Sequence, residues 1–233
     1  MKLRALIGCE YSGIVRDAFE NAGWDAWSCD LLPTESEQTA AAGKHFEGDV
    51  LEFLYTKDRA ATNRIPRRFP LTEDFDLLIG HPPCTYLSFA YTGKERYSNT
   101  RLQQKIDAYQ FFLDLWNAPI EHICLENPMG YIHTGLLPYT QIIEPYYFGH
   151  DYKKKTCLWL KNLPKLQYCL GDNLFEKKTA KKPTHRIMGS MMPHHKLPLY
   201  NTRHTIKEKS KFHSAIANAM AEQWTEYIKS KEL

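Results

Sequence analysis

Residues 3–7 (LRALI) form a short, mostly apolar run that stops at Gly8, the pattern of a buried strand. Ile14, Val15, Ala18, Phe19 and Ala22 then recur at helical spacing, and Gly23 ends the run. Residues 24–29 return to a strand pattern, closed by Asp30 and the turn-like stretch LLPTE. Strand, helix, strand in this order predicts a parallel pair joined by a crossover helix. FDLLI at 75–79 is a further strand, apolar except for Asp76, and it runs into the stiff exit Gly80-His81-Pro82-Pro83. Residues 92–100 are polar and read as a loop. A helix follows, with Leu102, Ile106, Tyr109, Leu113 and Trp116 on one face, ended by Pro119. IEHICL at 120–125 is another strand, reaching Glu126-Asn127-Pro128, and residues 156–160 read as one more. Residues 161–210 have little periodicity. Phe212, Ile216, Met220, Trp224 and Ile228 then recur every fourth position as the apolar stripe of a final helix. Strands alternating with helices predict an α/β fold, its mixed, mostly parallel sheet covered on both faces.

Composition narrows this picture. The chain has 233 residues, 43% hydrophobic and 24% charged, which excludes disorder or a coiled coil as a global reading. No apolar stretch approaches the roughly 20 residues that span a bilayer. The apolar run at the start is too short for a secretory signal, so a cytoplasmic protein is expected. Cys9, Cys29, Cys84, Cys124, Cys157 and Cys169 are scattered with no CxxC spacing, so they are no disulfide framework. Cys157, Cys169, His185, His194 and His195 fit no standard zinc pattern, and no metal is expected. The net charge of +3 conceals a split: residues 151–211 carry 15 Lys/Arg against four acids, a net of +11, and the remainder carries −8. Such asymmetry suits a polyanionic partner or a plain solvated surface.

In doubly wound sheets, ligands collect at the carboxyl ends of the strands, so the polar residues there are the candidates. Gly8-Cys9-Glu10-Tyr11-Ser12-Gly13 follows the first strand and opens a helix. Its two glycines allow a tight turn or close approach to a ligand, and the helix N-terminus offers free N–H donors. Asp30 ends the second strand, where such folds place an acid on ribose hydroxyls; Asp49 in Gly48-Asp49-Val50 is a further acid able to accept from an amino group. In Gly80-His81-Pro82-Pro83-Cys84-Thr85-Tyr86 the two prolines restrict their neighbours and present Cys84 at a strand exit. That thiol is either a nucleophile or a packed side chain. Neighbouring strands bring Glu126 towards Cys84. A carboxylate opposes thiolate formation, yet its protonated form would suit a pyrimidine ring nitrogen while a thiol attacks C6.

The ordered set GCEYSG, Asp30, GDV, GHPPCTYLS, LENP, FGHDYKKKTCLWL and FHSAIANAMAEQW resembles the DNA cytosine-5 methyltransferase family, closest to its short phage-type members of the restriction-modification kind. The resemblance covers roughly residues 3–160 and 210–228. It implies a Rossmann-like S-adenosylmethionine-dependent methyltransferase fold and transfer of a methyl group to C5 of cytosine in DNA. Gly8, Cys9, Glu10, Gly13, Asp30, Asp49 and Pro82 would contact S-adenosylmethionine. Cys84 matches the catalytic cysteine and Glu126 the glutamate on N3, with Lys154 or Lys155 where the family has an arginine. Pro83, Thr85, Ser88 and Asn127 would contact substrate. Residues 85–100, with Lys94, Arg96 and the adjoining Arg101, match a loop that closes over a flipped base. Thr85 and Pro128 stand where the family has Gln and Val. The implied organisation is a catalytic domain at 1–160, a basic segment at 161–210 in place of a long recognition domain, and a helix at 211–233 returning to the catalytic domain. A segment so short implies strong backbone contacts and little base reading, unless a partner protein supplies the sequence recognition. A free pyrimidine nucleotide, RNA, or non-catalytic DNA binding are the alternatives.

Overall fold

The computed structural model describes residues 2–56, 65, 69–88, 98–132, 137–150, 153–168 and 212–231. Its centre is a seven-stranded sheet in the order β3-β2-β1-β4-β5-β7-β6. The strands are β1 (Arg4–Gly8), β2 (Asp25–Asp30), β3 (His45–Glu47), β4 (Leu77–Gly80), β5 (His122–Pro128), β6 (Gln141–Ile143) and β7 (Thr156–Lys161). Pairing is parallel from β3 across to β5, while β7 runs antiparallel to both β5 and β6. The mixed, mostly parallel sheet expected from the sequence is present. The chain leaves β1 towards β2 and β3 and then returns to the opposite side of β1 as β4. The crevice where such a sheet binds ligands therefore opens at the carboxyl ends of β1 and β4.

Alternation along each strand divides the core. Ala5, Ile7, Leu77 and Ile79 point to the face covered by α1 (Ile14–Asn21) and by the C-terminal helix Ser214–Lys231. Leu6, Leu78, Ile123 and Leu125 point to the other face. There they meet α3 (Val50–Tyr55) and α4 (Asn99–Trp116), α2 (Glu37–Ala42) lying between β2 and β3 in the chain. The C-terminal helix, α5, follows the predicted stripe: Ile216, Met220, Trp224 and Ile228 are all buried. The Trp24 indole donates to Thr225 Oγ1 at 2.6 Å, tying α5 to the start of β2 across 201 residues.

Two elements differ from the sequence pattern. β5 continues through Glu126-Asn127-Pro128 because β7 pairs with it residue by residue, Glu126 opposite Leu158 and Pro128 opposite Thr156. Proline, lacking an N–H, is tolerated there at the strand's last position. On α4, Leu102 and Ile106 are solvent-exposed, and the buried residues are Arg101, Phe112 and Leu115. Tyr109 and Trp116 of the stripe read from the sequence lie half-buried against the core, but its first two positions face solvent. A buried guanidinium takes their place because it finds a carbonyl and an aromatic ring, described below.

Candidate active site

The loop after β1 is organised by its own carboxylate. Glu10 is buried, and its Oε1 accepts from Val15 N–H at 2.7 Å and from the Ser12 hydroxyl at 3.2 Å. Oε2 accepts from Arg16 N–H at 3.2 Å. These are donors that the first turn of α1 would otherwise leave without partners. Burial pushes the Glu10 carboxyl above its ordinary pKa, against the pull of His81 and of these hydrogen bonds. Gly13 caps α1 in the left-handed region at φ 74, and a Cβ there would lie 2.4 Å from Ser36 Cβ. At Gly8 a Cβ would lie 2.9 Å from Val50 Cγ2. Both glycines, and Glu10, shape the loop from behind.

A cavity of about 380 Å³ opens in front, within the size range of small-molecule sites. Cys9, Asp30, Asp49 and Pro83 line it, with Cys29, Leu31, Gly48 and Val50 between them. Asp30 Oδ1 accepts from Leu32 N–H and Asp49 Oδ1 from Leu51 N–H, each at 2.9 Å. Both carboxylates are thereby oriented with acceptor capacity to spare. Burial raises the Asp30 carboxyl. Burial, then the charges of Asp30 and Asp49, push the Cys9 thiol far up, so it stays protonated. Pro82 is buried and Pro83 forms the wall, so of the two prolines the one read as a substrate contact borders the cavity.

The opposite wall was not legible as a site. Tyr86 and, from α4, Gln104, Asp107, Ala108 and Phe111 face the cavity. The four helix positions follow i, i+3, i+4, i+7 spacing, which would have marked a face had its members been apolar.

At the exits of β4 and β5 the parallel register sets Gly80 opposite Leu125 and hence His81 opposite Glu126. His81 Nδ1 donates to Glu126 Oε2 at 3.3 Å. Burial opposes ionisation of Glu126. The hydrogen bond and charge of His81, then Lys154 and His213, outweigh it and hold the carboxyl below its ordinary pKa. Cys84 is exposed. Desolvation, then the Glu126 carboxylate, raise its thiol pKa, and Lys154 pulls it back. The free protein therefore pairs a protonated thiol with an ionised carboxylate. Lys154 acts on Cys84, Glu126 and His213, whereas Lys155 is exposed and acts on Cys157. Of the two candidate lysines, Lys154 is the one at the site.

The remaining candidates brace this loop. Asn127 is buried, and its Nδ2 donates to the Pro82 carbonyl at 2.7 Å. The Arg101 guanidinium donates to the Thr85 carbonyl at 2.8 Å and lies 4.2 Å from the Tyr86 ring centre. Both were read as substrate contacts; both are turned inward and fix the segment carrying Cys84. Thr85 is exposed, and Ser88 is buried, bridged to Gly130. Lys94 and Arg96 lie outside the described residues, as do Cys169, His185, His194 and His195. Among the described residues no group of three His, Cys, Asp or Glu side chains could hold a metal. No described helix is long and apolar enough to cross a membrane.

Strand order 3-2-1-4-5-7-6 with β7 alone reversed is the Rossmann-like fold of S-adenosylmethionine-dependent methyltransferases. No protein-family model and no curated protein matches the sequence. Among solved structures the chain is similar to the Dnmt2 methyltransferase of S. pombe, at 21% identity and a TM-score of 0.46, covering 78% of this chain and 57% of that one. It is also similar to the methyltransferase EhMeth of Entamoeba histolytica, at 12% identity and a TM-score of 0.42 over 72% of this chain and 56% of the other. A third is a mutant DNMT2 of Spodoptera frugiperda, at 12% identity and a TM-score of 0.36, covering 80% and 54%. The chain thus spans little more than half the length of each.

Proposed function

We propose that this chain transfers a methyl group from S-adenosylmethionine to C5 of cytosine in DNA, through a covalent Cys84 adduct at C6. The observation that carries the reading is the meeting of Cys84, Glu126 and Lys154 next to a cavity walled by Pro83, the thiol's neighbour. The cavity's donor set fits the cofactor. Asp30 and Asp49 suit ribose hydroxyls and an adenine amino group, and Leu31, Val50 and Phe111 offer apolar surface to a purine. Bound there, S-adenosylmethionine supplies an electrophilic methyl group.

The protein's own groups act on the base. Cys84 Sγ, as thiolate, forms a bond to C6, and the ring charge is quenched by a proton that Glu126 delivers to N3. C5 then gains the methyl carbon. Its proton leaves to solvent, the C6–S bond breaks, and N3 returns its proton. Glu126 is ionised in the free protein, so it acquires the proton when the entering base covers it and removes the remaining solvent. The Lys154 ammonium favours the thiolate that Glu126 opposes. The excess of +11 on residues 151–211 suits a phosphate backbone.

DNA carrying 5-fluorocytosine, incubated with the cofactor, should yield an adduct stable to denaturation in the wild type and none in Cys84→Ser, because fluorine cannot leave C5 as a proton does. RNA and the free nucleotide carrying the same base, run in parallel, identify the substrate class. An adduct on RNA alone would overturn the DNA assignment and keep the chemistry. Absence of adduct and of 5-methyl product on all three would sink the reading.

A further inference from the structure

His81 entered the sequence reading only as part of a stiff strand exit, yet it is the residue that touches Glu126. We propose that His81 is a positioning residue for Glu126, fixing the orientation of its carboxylate and the pH range over which that carboxylate can serve a bound base. The inference rests on the reading of Glu126 as the partner of the ring nitrogen.

The imidazole is pinned from several sides. Its own backbone N–H donates to the Gly8 carbonyl at 3.0 Å, at the end of the neighbouring strand. The two prolines that follow hold the chain direction. The Phe212 ring, just before α5, lies against it with centres 5.0 Å apart. The orientation of the imidazole is thereby settled before substrate arrives. Through Nδ1 it engages Oε2 of Glu126. Among the described residues no other side chain is hydrogen-bonded to this carboxylate, so Oε1 is left for a ligand. Nε2 is enclosed, with no hydrogen-bond partner among the described residues. The ring therefore has one polar attachment, and that attachment is the catalytic carboxylate.

The surroundings explain why this contact governs protonation. Glu126 faces His81 from β4, Lys154 from the approach to β7, His213 from the start of α5, and the Cys84 thiol. His81 in turn faces Glu126, Glu10 behind the loop after β1, and Asp30 at the end of β2. Burial is the largest influence on Glu126 and would protonate it; the His81 hydrogen bond is the largest influence in the other direction. Without the ring, Glu126 becomes a buried carboxyl held ionised only by more distant cations. Its pKa would then rise, and the carboxyl would rotate freely instead of being held in one orientation.

Two substitutions separate positioning from packing. His81→Leu removes the donor; His81→Asn keeps one, since its Nδ2 falls near the place of Nδ1. The Glu126 carboxyl is followed by ¹³C NMR, its resonance identified by its loss in Glu126→Gln. His81→Leu should raise the Glu126 titration midpoint by about one unit or more. It should lower single-turnover methyl transfer at neutral pH about 100-fold, move the profile's basic limb upward, and leave cofactor affinity unchanged. His81→Asn should restore most of the rate. An identical Glu126 midpoint in wild type and His81→Leu would overturn the proposal, as would His81→Asn behaving no better than His81→Leu. Should His81→Leu not fold, His81→Gln, with its amide at the Nε2 position, replaces it. Should the wild type methylate no nucleic acid, the proposed function fails, and the Glu126 titration still decides the part played by His81.

Discussion

At Cys84 two neighbours of opposite charge work against each other. Glu126 raises the thiol pKa and Lys154 lowers it, with desolvation added on the raising side. The thiol is thereby kept protonated in the free protein. The signs can be tested without substrate, by following iodoacetamide alkylation of the Cys84 peptide against pH by mass spectrometry. Glu126→Gln removes a like charge and should lower the apparent thiol pKa, by a shift of order one unit. Lys154→Met should raise it by a similar amount. Glu126→Gln would then make the thiol more reactive towards alkylation while abolishing methyl transfer. If both variants leave alkylation unchanged, the electrostatic picture of the site is wrong. Cys84 and Glu126 could both be picked out from the sequence because each follows an apolar strand run at a stiff exit. Their mutual influence could not, since it depends on a pairing between residues 42 positions apart.

Elements, more than loops, hold the machinery in place. β5 bears Glu126 facing the site and, one residue on, Asn127 facing inward to hold the Pro82 carbonyl. Period-two alternation along one strand thus places both the Glu126 carboxylate and the brace of the cysteine loop. Asn127→Leu should destabilise the fold by about 1–3 kcal/mol, because the buried Pro82 carbonyl loses its donor. It should also lower kcat more than it weakens cofactor binding, since Asp30 and Asp49 sit on other elements. Thermal unfolding and single-turnover rates would check this, and an unperturbed rate in a destabilised protein would remove Asn127 from the positioning role. On α4 the same logic runs opposite to hydropathy. Arg101 is buried against the Thr85 carbonyl and the Tyr86 ring, while Leu102 and Ile106 face solvent. A guanidinium that finds a carbonyl acceptor and an aromatic face can take an interior position ahead of leucine.

Across the whole molecule, the chain returns at its end to complete what its beginning started. α5 packs its stripe on α1, and the two residues just before it, Phe212 and His213, lie back at the strand exits. Burial, with Lys154 and His150 close by, pushes the His213 pKa down to about 4. Its place at a helix N-terminus acts in the same direction. His213 is therefore neutral in the folded protein, whereas the unfolded chain takes up that proton near pH ~6.5. Protons then favour unfolding. The His213 contribution is complete above pH ~6.5 and is lost progressively as pH falls towards 4. Glu126 has the opposite origin and a lower window: its depressed pKa stabilises the fold above the ordinary carboxyl range and is lost in acid below it. His213→Asn should flatten the fall in denaturation midpoint between pH ~6.5 and 4 while leaving the steeper acid loss in place. An unaltered profile over that interval would refute the assignment.

Local periodicity was enough to establish strands β1, β2, β4, β5 and β7, helix α1, the stripe of α5, and the places where strands end. Those features depend on which side of a short segment must leave water, and neighbouring residues encode that directly. The short elements β3, β6, α2 and α3 were not visible, because three to six residues do not complete a period. The partners at the site were settled only by the folded chain. His81 meets Glu126, Asn127 meets Pro82, and Arg101 turns from solvent to the Thr85 carbonyl. Each contact depends on strand register and helix rotation, which are fixed by burial summed over the entire core and leave no trace in any one segment.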